Sequence, residues 1–237
     1  MELKLEGCSN AGWSLTEFRK EQILKLYGWV ENNKGRRKTY KQIQEEIEAT
    51  CEGLDSSKVR MIVPFLRKMG YIQSGGFEQK NALINLNDFF TQQGKAYIEY
   101  LKLSKKTSVL ERKDINNKLS EIDTLFNIMN MINLVLNGEE VYIDCINFLK
   151  EYETMDKNEF FIMTTIRKEY LGNEYTRELR RVITEYRNNK FNKIEITKHA
   201  NSYGYVKKFL IETNLLFEYN GNLKLNDKYS YILDGIK

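Results

Sequence analysis

Residues 55–72 read DSSKVRMIVPFLRKMGYI. Val59, Ile62, Val63 and Leu66 fall at i, i+3, i+4 and i+7, the spacing that puts four apolar side chains on one face of a helix. Asp55 or Ser56 supplies the N-cap, whose side-chain oxygen accepts from an otherwise unpaired first-turn amide. Gly70 ends the helix, because it tolerates the left-handed backbone that a C-terminal cap requires. Pro64 lies inside the repeat, removes one backbone donor at a cost of up to ~3 kcal/mol, and predicts a kink. Upstream, Thr39 caps a helix with Tyr40, Ile43 and Ile47 on one face. Before that, Ile23, Leu26, Tyr27 and Val30 repeat the same spacing and predict an amphipathic helix over roughly 15–31. Downstream the period changes. Tyr71-Ile72 and Leu83–Leu86 predict two short strands joined by a loop around Gly75-Gly76, and Thr91 opens a helix through Leu101.

Helix, helix, helix, hairpin, helix is the order of a winged helix-turn-helix. In that motif the second and third helices form the turn unit, the third enters the major groove, and the hairpin touches backbone or minor groove. Opposite its apolar face the third helix carries Ser57, Arg60, Met61, Pro64 and Lys68, flanked by Lys58 and Arg67. Serine and arginine near a helix start reach phosphates and base edges. Lys34, Arg36, Arg37, Lys38 and Lys41 form a basic cluster at the start of the second helix, where backbone amides also favour phosphate.

The pattern returns near the other end of the chain. Phe65-Leu66, Gly70-Tyr71-Ile72 and Leu83–Asp88 are matched by Phe209-Leu210, Asn214-Leu215-Leu216 and Leu223–Asp227, with a helix through Tyr231-Ile232 answering the one through Tyr97-Ile98. Gly70 and Asn214 occupy the same point, and both residue types tolerate positive φ. Asn220-Gly221 is the strongest short hairpin signal in the chain. Two copies separated by a helical insert mean a duplicated module. Its second copy offers Asn201, Ser202, Tyr203, Tyr205, Lys207 and Lys208 as nucleic-acid contacts, with Arg177, Arg180 and Arg181 as added phosphate partners. Between the helix holding Leu179, Val182, Ile183 and Tyr186 and this recognition helix, Ile194-Glu195-Ile196 alternates like a strand, leaving little room for a full second helix.

In the middle, Leu119, Ile122, Leu125, Phe126, Met129, Ile132 and Leu136 keep a helical stripe. Ile128, Met131, Leu134 and Val135 widen it until little polar face remains, which predicts a buried helix. Helices near Val141–Tyr152 and from Asp156 follow, the latter with Asp156 and Glu159 in capping-box spacing. Cut near Lys105 and Gly172, the segments 1–105, 106–172 and 173–237 carry +4, −4 and +4, an acidic scaffold between two basic modules that suits a protein meeting polyanions at two places. The expected fold is therefore mainly α with small β-hairpins: two winged-helix-like modules, 1–105 and 173–237, joined by a helical linker domain, 106–172.

Composition excludes much chemistry. The 237 residues are 41% apolar and 30% charged, with one proline, one histidine and three cysteines. Cys8, Cys51 and Cys145 offer neither a disulfide framework nor a CxxC zinc site, which predicts a reducing, cytoplasmic setting. With His199 alone, a Ser-His-Asp triad or a His-rich metal site rests on one residue; it reads as a loop residue or phosphate partner. Glu195-Ile196-Thr197-Lys198 has the wrong spacing for metal-dependent nuclease chemistry, and no glycine-rich phosphate loop exists. Catalytic residues, metal ligands and cofactors are thus not expected. Nor does any stretch read as a signal peptide or a membrane span.

The segment Asp156–Arg187, with its LRRVITEYR run at 179–187, followed by FLIETNLLFEYNGNLKLN at 209–226, resembles the DNA-recognition half of type IIS restriction endonucleases of the AlwI kind. Val59-Arg60 leading to Phe65–Ile72 is similar to winged-helix units of the same enzymes. The resemblance implies sequence-preferring binding of double-stranded DNA by a recognition part whose nuclease subunit or domain lies elsewhere. Two rivals stand beside it: a transcription regulator or plasmid replication initiator with tandem winged helices, and a protein-interaction scaffold whose basic faces are incidental.

Overall fold

Thr16, Thr39 and Asp55 each start a helix through their side chains. The Thr16 hydroxyl accepts from the Arg19 amide at 3.3 Å and the Asp55 carboxylate from the Lys58 amide at 2.8 Å. At Thr39 the bond is reciprocal: its hydroxyl accepts from the Gln42 amide while Gln42 Oε1 accepts from the Thr39 amide at 2.9 Å. The computed structural model describes residues 2–9, 15–107 and 113–235. A first strand, β1 (Glu2–Glu6), precedes α1 (Glu17–Asn32), the two-residue β2 (Arg37–Lys38), α2 (Tyr40–Thr50) and α3 (Ser56–Lys68). Then come β3 (Ile84–Asn85), α4 (Gln92–Thr107) and α5 (Lys113–Leu136).

The chain divides into two compact units, residues 15–137 and residues 1–14 with 138–237. This differs from the expected cuts near 105 and 172. The first helix of the expected linker, α5, belongs with the first unit, because Phe126 stacks on Tyr100 of α4 and packs at a tilt against Tyr97, at 4.8 and 5.2 Å between ring centroids. Asn133 and Asn137 also donate to the carbonyls of Met69 and Lys68, at 2.9 and 3.1 Å, satisfying the C-terminal end of α3. The expectation that α5 is buried all round is corrected. Ile128, Met131 and Leu134 are covered, but Leu125 is 60% and Leu136 76% exposed, because α4 covers only one side of the helix.

Within residues 15–137, Val59, Ile62, Val63 and Leu66 are buried as their spacing requires, together with Ile43 and Ile47 of α2. α3 runs unbroken across Pro64 to Lys68. The two strands expected to form a hairpin do not pair with each other. Ile84-Asn85 pairs antiparallel with Lys38 and Arg37, while Ile72 bridges Phe90. This register buries Phe89 and Phe90 and leaves Leu83 exposed.

The second unit continues with α6 (Val141–Tyr152), α7 (Lys157–Glu169), α8 (Gly172–Arg187), β4 (Lys193–Lys198), α9 (Ser202–Glu212), β5 (Leu216–Tyr219), β6 (Asn222–Leu225) and α10 (Ser230–Asp234). Asp156 and Glu159 form the expected capping box at α7. Where a second helix of the repeated module would stand, β4 pairs in parallel with β1, Leu3 against Ile194 and Leu5 against Ile196. β5 and β6 form an antiparallel hairpin through Asn220 and Gly221, whose φ of 50° and 80° match the twist of the strands they join. Gly70 and Asn214 both take positive φ, 75° and 56°. The Oδ1 atoms of Asn85 and Asn226 each accept an amide two residues on, at 3.2 Å, ahead of a short 3-10 turn. The molecule is thus mainly helical with small two-stranded sheets.

Candidate nucleic-acid interface

The Asp55 cap and the buried row from Val59 to Leu66 fix which way α3 turns. Tyr40 Oη adds a cross-link to α2, donating to the Val59 carbonyl at 3.3 Å. Ser57, Arg60 and Met61 are consequently exposed on the opposite face, Met61 by 48%. The Arg60 side chain makes no hydrogen bond or ion pair among the described residues, and neither does that of Arg37 on β2. Each is a cation with all its donors available.

Other predicted contacts are already engaged. Lys38 is half-buried and pairs with Glu46, Lys58 with Asp55 at 2.8 Å, and Lys41 with Glu45 at 3.6 Å. Arg36 donates to Asn33 Oδ1 at 3.0 Å and lines an open groove of about 690 Å³ over Gly28 and Trp29. Arg67 is turned back to its own unit: it donates to the Ser74 carbonyl at 2.9 Å and lies 4.8 Å over the Phe77 ring. Lys68 is half-buried at the C-terminal end of α3.

In the second unit the structure corrects two assignments outright. Ser202 is buried, so close to Gly7 that a Cβ there would lie 2.1 Å from the serine Oγ. Tyr203 is buried beside Phe160, ring centroids 5.4 Å apart, and burial pushes its phenol well above the usual range. Neither side chain reaches a ligand from there. Lys207 is held by Glu218, while Asn201, Tyr205 and Lys208 remain exposed. The α8 arginines are likewise engaged, Arg180 with Glu151 at 2.8 Å, Arg181 with Glu178 and Glu185 at 2.9 and 3.1 Å, and Arg177 with Glu178 at 3.6 Å. His199 is exposed with φ of 53°, and its carbonyl accepts from the Ser202 amide at 2.9 Å.

Among the described residues no group of three or more His, Cys, Asp or Glu side chains is placed to hold a metal ion, and no helix is long and apolar enough to cross a membrane. Burial lifts the Cys8 thiol to about 11 and also raises that of Cys145, so neither supplies a thiolate near neutral pH. Comparison of the chain with known protein families, curated proteins and solved structures gave no match.

Phe217, Tyr219 and Lys224 of the β5–β6 hairpin are further candidates, both rings exposed, that neither helical period nor basic clustering points to. A signal was present: two aromatics two residues apart, directly before Asn220-Gly221, share one face of a strand.

Proposed function

We propose that the unit of residues 15–137 binds double-stranded DNA with sequence preference, α3 entering the major groove as the recognition helix of a winged-helix-like module. One observation carries the reading: opposite a fully buried apolar row, α3 presents Ser57, Arg60 and Met61, with Arg60 unpaired among the described residues. Arginine in that setting reads the O6 and N7 acceptors of guanine, while Arg37 on β2, its side chain likewise unpaired among the described residues, is suited to phosphate. In this proposal the protein is the recognition part of a restriction system of the AlwI kind, with the nuclease supplied by another subunit or domain. The regulator reading shares the same interface and differs in predicting a palindromic or iterated site.

A mobility-shift titration of the full chain against random and selected duplexes tests this, repeated over a range of salt. Phosphate neutralisation makes affinity fall steeply as salt rises. Arg60→Ala should cost about 1–3 kcal/mol on the selected site and little elsewhere, whereas Arg37→Ala should weaken all duplexes alike and lower the salt slope by about 1. Absence of duplex binding at low salt removes the proposal.

A second reading, a protein-interaction scaffold, is favoured by the exposed stripe Ile122, Leu125, Ile132 and Leu136 on α5. It predicts no salt-dependent duplex binding.

A further inference from the structure

The β5–β6 hairpin has one face committed to the fold and one that the fold does not use. On the first face Leu216 and Leu223 are buried, and Glu218 accepts from Lys207. The other face carries Phe217 and Tyr219, 41% and 57% exposed, with Lys224 directly opposite Phe217 and its ammonium 5.2 Å from the Tyr219 ring centroid. Asn222 stands opposite Tyr219.

The hairpin is held rigidly. Leu223 exchanges both backbone bonds with Met155, at 2.8 and 3.1 Å, and the turn residues already have the conformation their types favour. Two rings are therefore fixed about 7 Å apart on one strand face, outside any core. Both rings keep part of their surface in water beyond the Lys224 contact, and an aromatic face stacks on any nucleobase. Charge supports the same occupant. Of Phe217, Tyr219, Asn222 and Lys224 on the outward face only the lysine is charged, and Glu218 on the opposite face is paired with Lys207, so the platform attracts an anionic chain.

We infer that Phe217, Tyr219 and Lys224 form a stacking platform for single-stranded DNA, the rings taking successive unpaired bases and the lysine an adjoining phosphate. The platform belongs to the other unit and does not rest on the α3 reading.

Fluorescence anisotropy of the full chain with a fluorescein-labelled oligothymidine of 15 nucleotides tests the inference. Wild type is expected to bind more tightly as salt falls, and the Phe217→Ala, Tyr219→Ala double variant to lose roughly tenfold or more in affinity. Tyr219→Phe keeps the ring and should keep binding. Lys224→Glu, a surface change that leaves both rings in place, should weaken binding several-fold. Arg60→Ala should not alter it, which separates failure of this inference from failure of the duplex proposal. No oligothymidine binding by wild type overturns the platform, as does unchanged affinity in the double variant with wild-type thermal stability.

Discussion

Lys207 Nζ lies 3.1 Å from each carboxylate oxygen of Glu218. The ion pair ties α9 to β5, so a lysine that the sequence aims at phosphate serves instead to orient the hairpin. Both side chains remain partly in water, 26% and 40% exposed, which limits the strength of the pair. A double-mutant cycle of Lys207→Met and Glu218→Gln, read by chemical denaturation, should return a coupling of about 0.5 kcal/mol that shrinks at high salt. A coupling near zero at low salt would remove the pair from the account of hairpin placement.

Each unit contains a glycine whose place in the packing requires the absence of a side chain. A Cβ on Gly94 would sit 2.1 Å from the Tyr71 carbonyl oxygen, and one on Gly7 would sit 2.5 Å from the His199 carbonyl oxygen. In both cases the obstacle includes backbone, so Gly94→Ala and Gly7→Ala should each cost about 3 kcal/mol in thermal or denaturant unfolding. Gly204 has nothing within 4 Å, and Gly204→Ala in α9 should be neutral or slightly stabilising.

Two carboxylates of one unit titrate in opposite senses. Glu6, hydrogen-bonded by Lys198 and Lys168, is held down to about 2 from an ordinary 4.5. Its contribution to stability is present above pH 4.5 and is lost as pH falls toward 2. Asp144 is buried, which raises it to about 6 despite the Arg167 guanidinium 3.4 Å away. Its folded state holds a proton longer than its unfolded state, so its contribution is fully present below 3.8 and is lost as pH rises through 6. Carboxyl carbon shifts followed by NMR should show these two midpoints well apart. Glu6→Gln should flatten the acid limb of the stability curve, and Asp144→Asn the limb between pH 4 and 6.

Residues 15–137 form a continuous stretch with their own core, from Ile23 to Leu134. Expressed alone, this segment should keep its helical circular dichroism and melt cooperatively. Residues 138–237 alone lack β1, leaving β4 without its partner and Phe161 without its Gly7 contact, and should melt less cooperatively or fail to fold.

The local features were legible because they depend on neighbours in sequence. The caps at Thr39, Asp55 and Asp156, the buried row of α3, the turn at Asn220-Gly221 and the positive φ of Gly70 and Asn214 all depend on residues a few positions apart. What escaped depends on distant chain. Strand β1 alternates Leu3 and Leu5 with charges, but its partner β4 is some 190 residues away. Tyr71-Ile72 could have paired with Leu83–Leu86 by period alone, and only the burial of Phe89 and Phe90 distinguishes the register observed. At the candidate site, Arg60 and Met61 follow from the helical period and are exposed as expected. Ser202 and Tyr203, expected as nucleic-acid contacts, are buried instead because α9 turns them toward Gly7 and Phe160, residues that no periodicity connects to them.

The parallel pairing of Glu2–Glu6 with Lys193–Lys198 also sets an order of events during synthesis. At roughly 5–20 residues per second, the first strand leaves the ribosome some 10–40 s before its partner is made. Throughout that interval residues 15–137 can fold while Leu3 and Leu5 stay in water, an alternating segment with an open edge. Chaperone binding to nascent chains arrested before residue 193 should therefore concentrate on those first residues, and should fall once β4 has emerged.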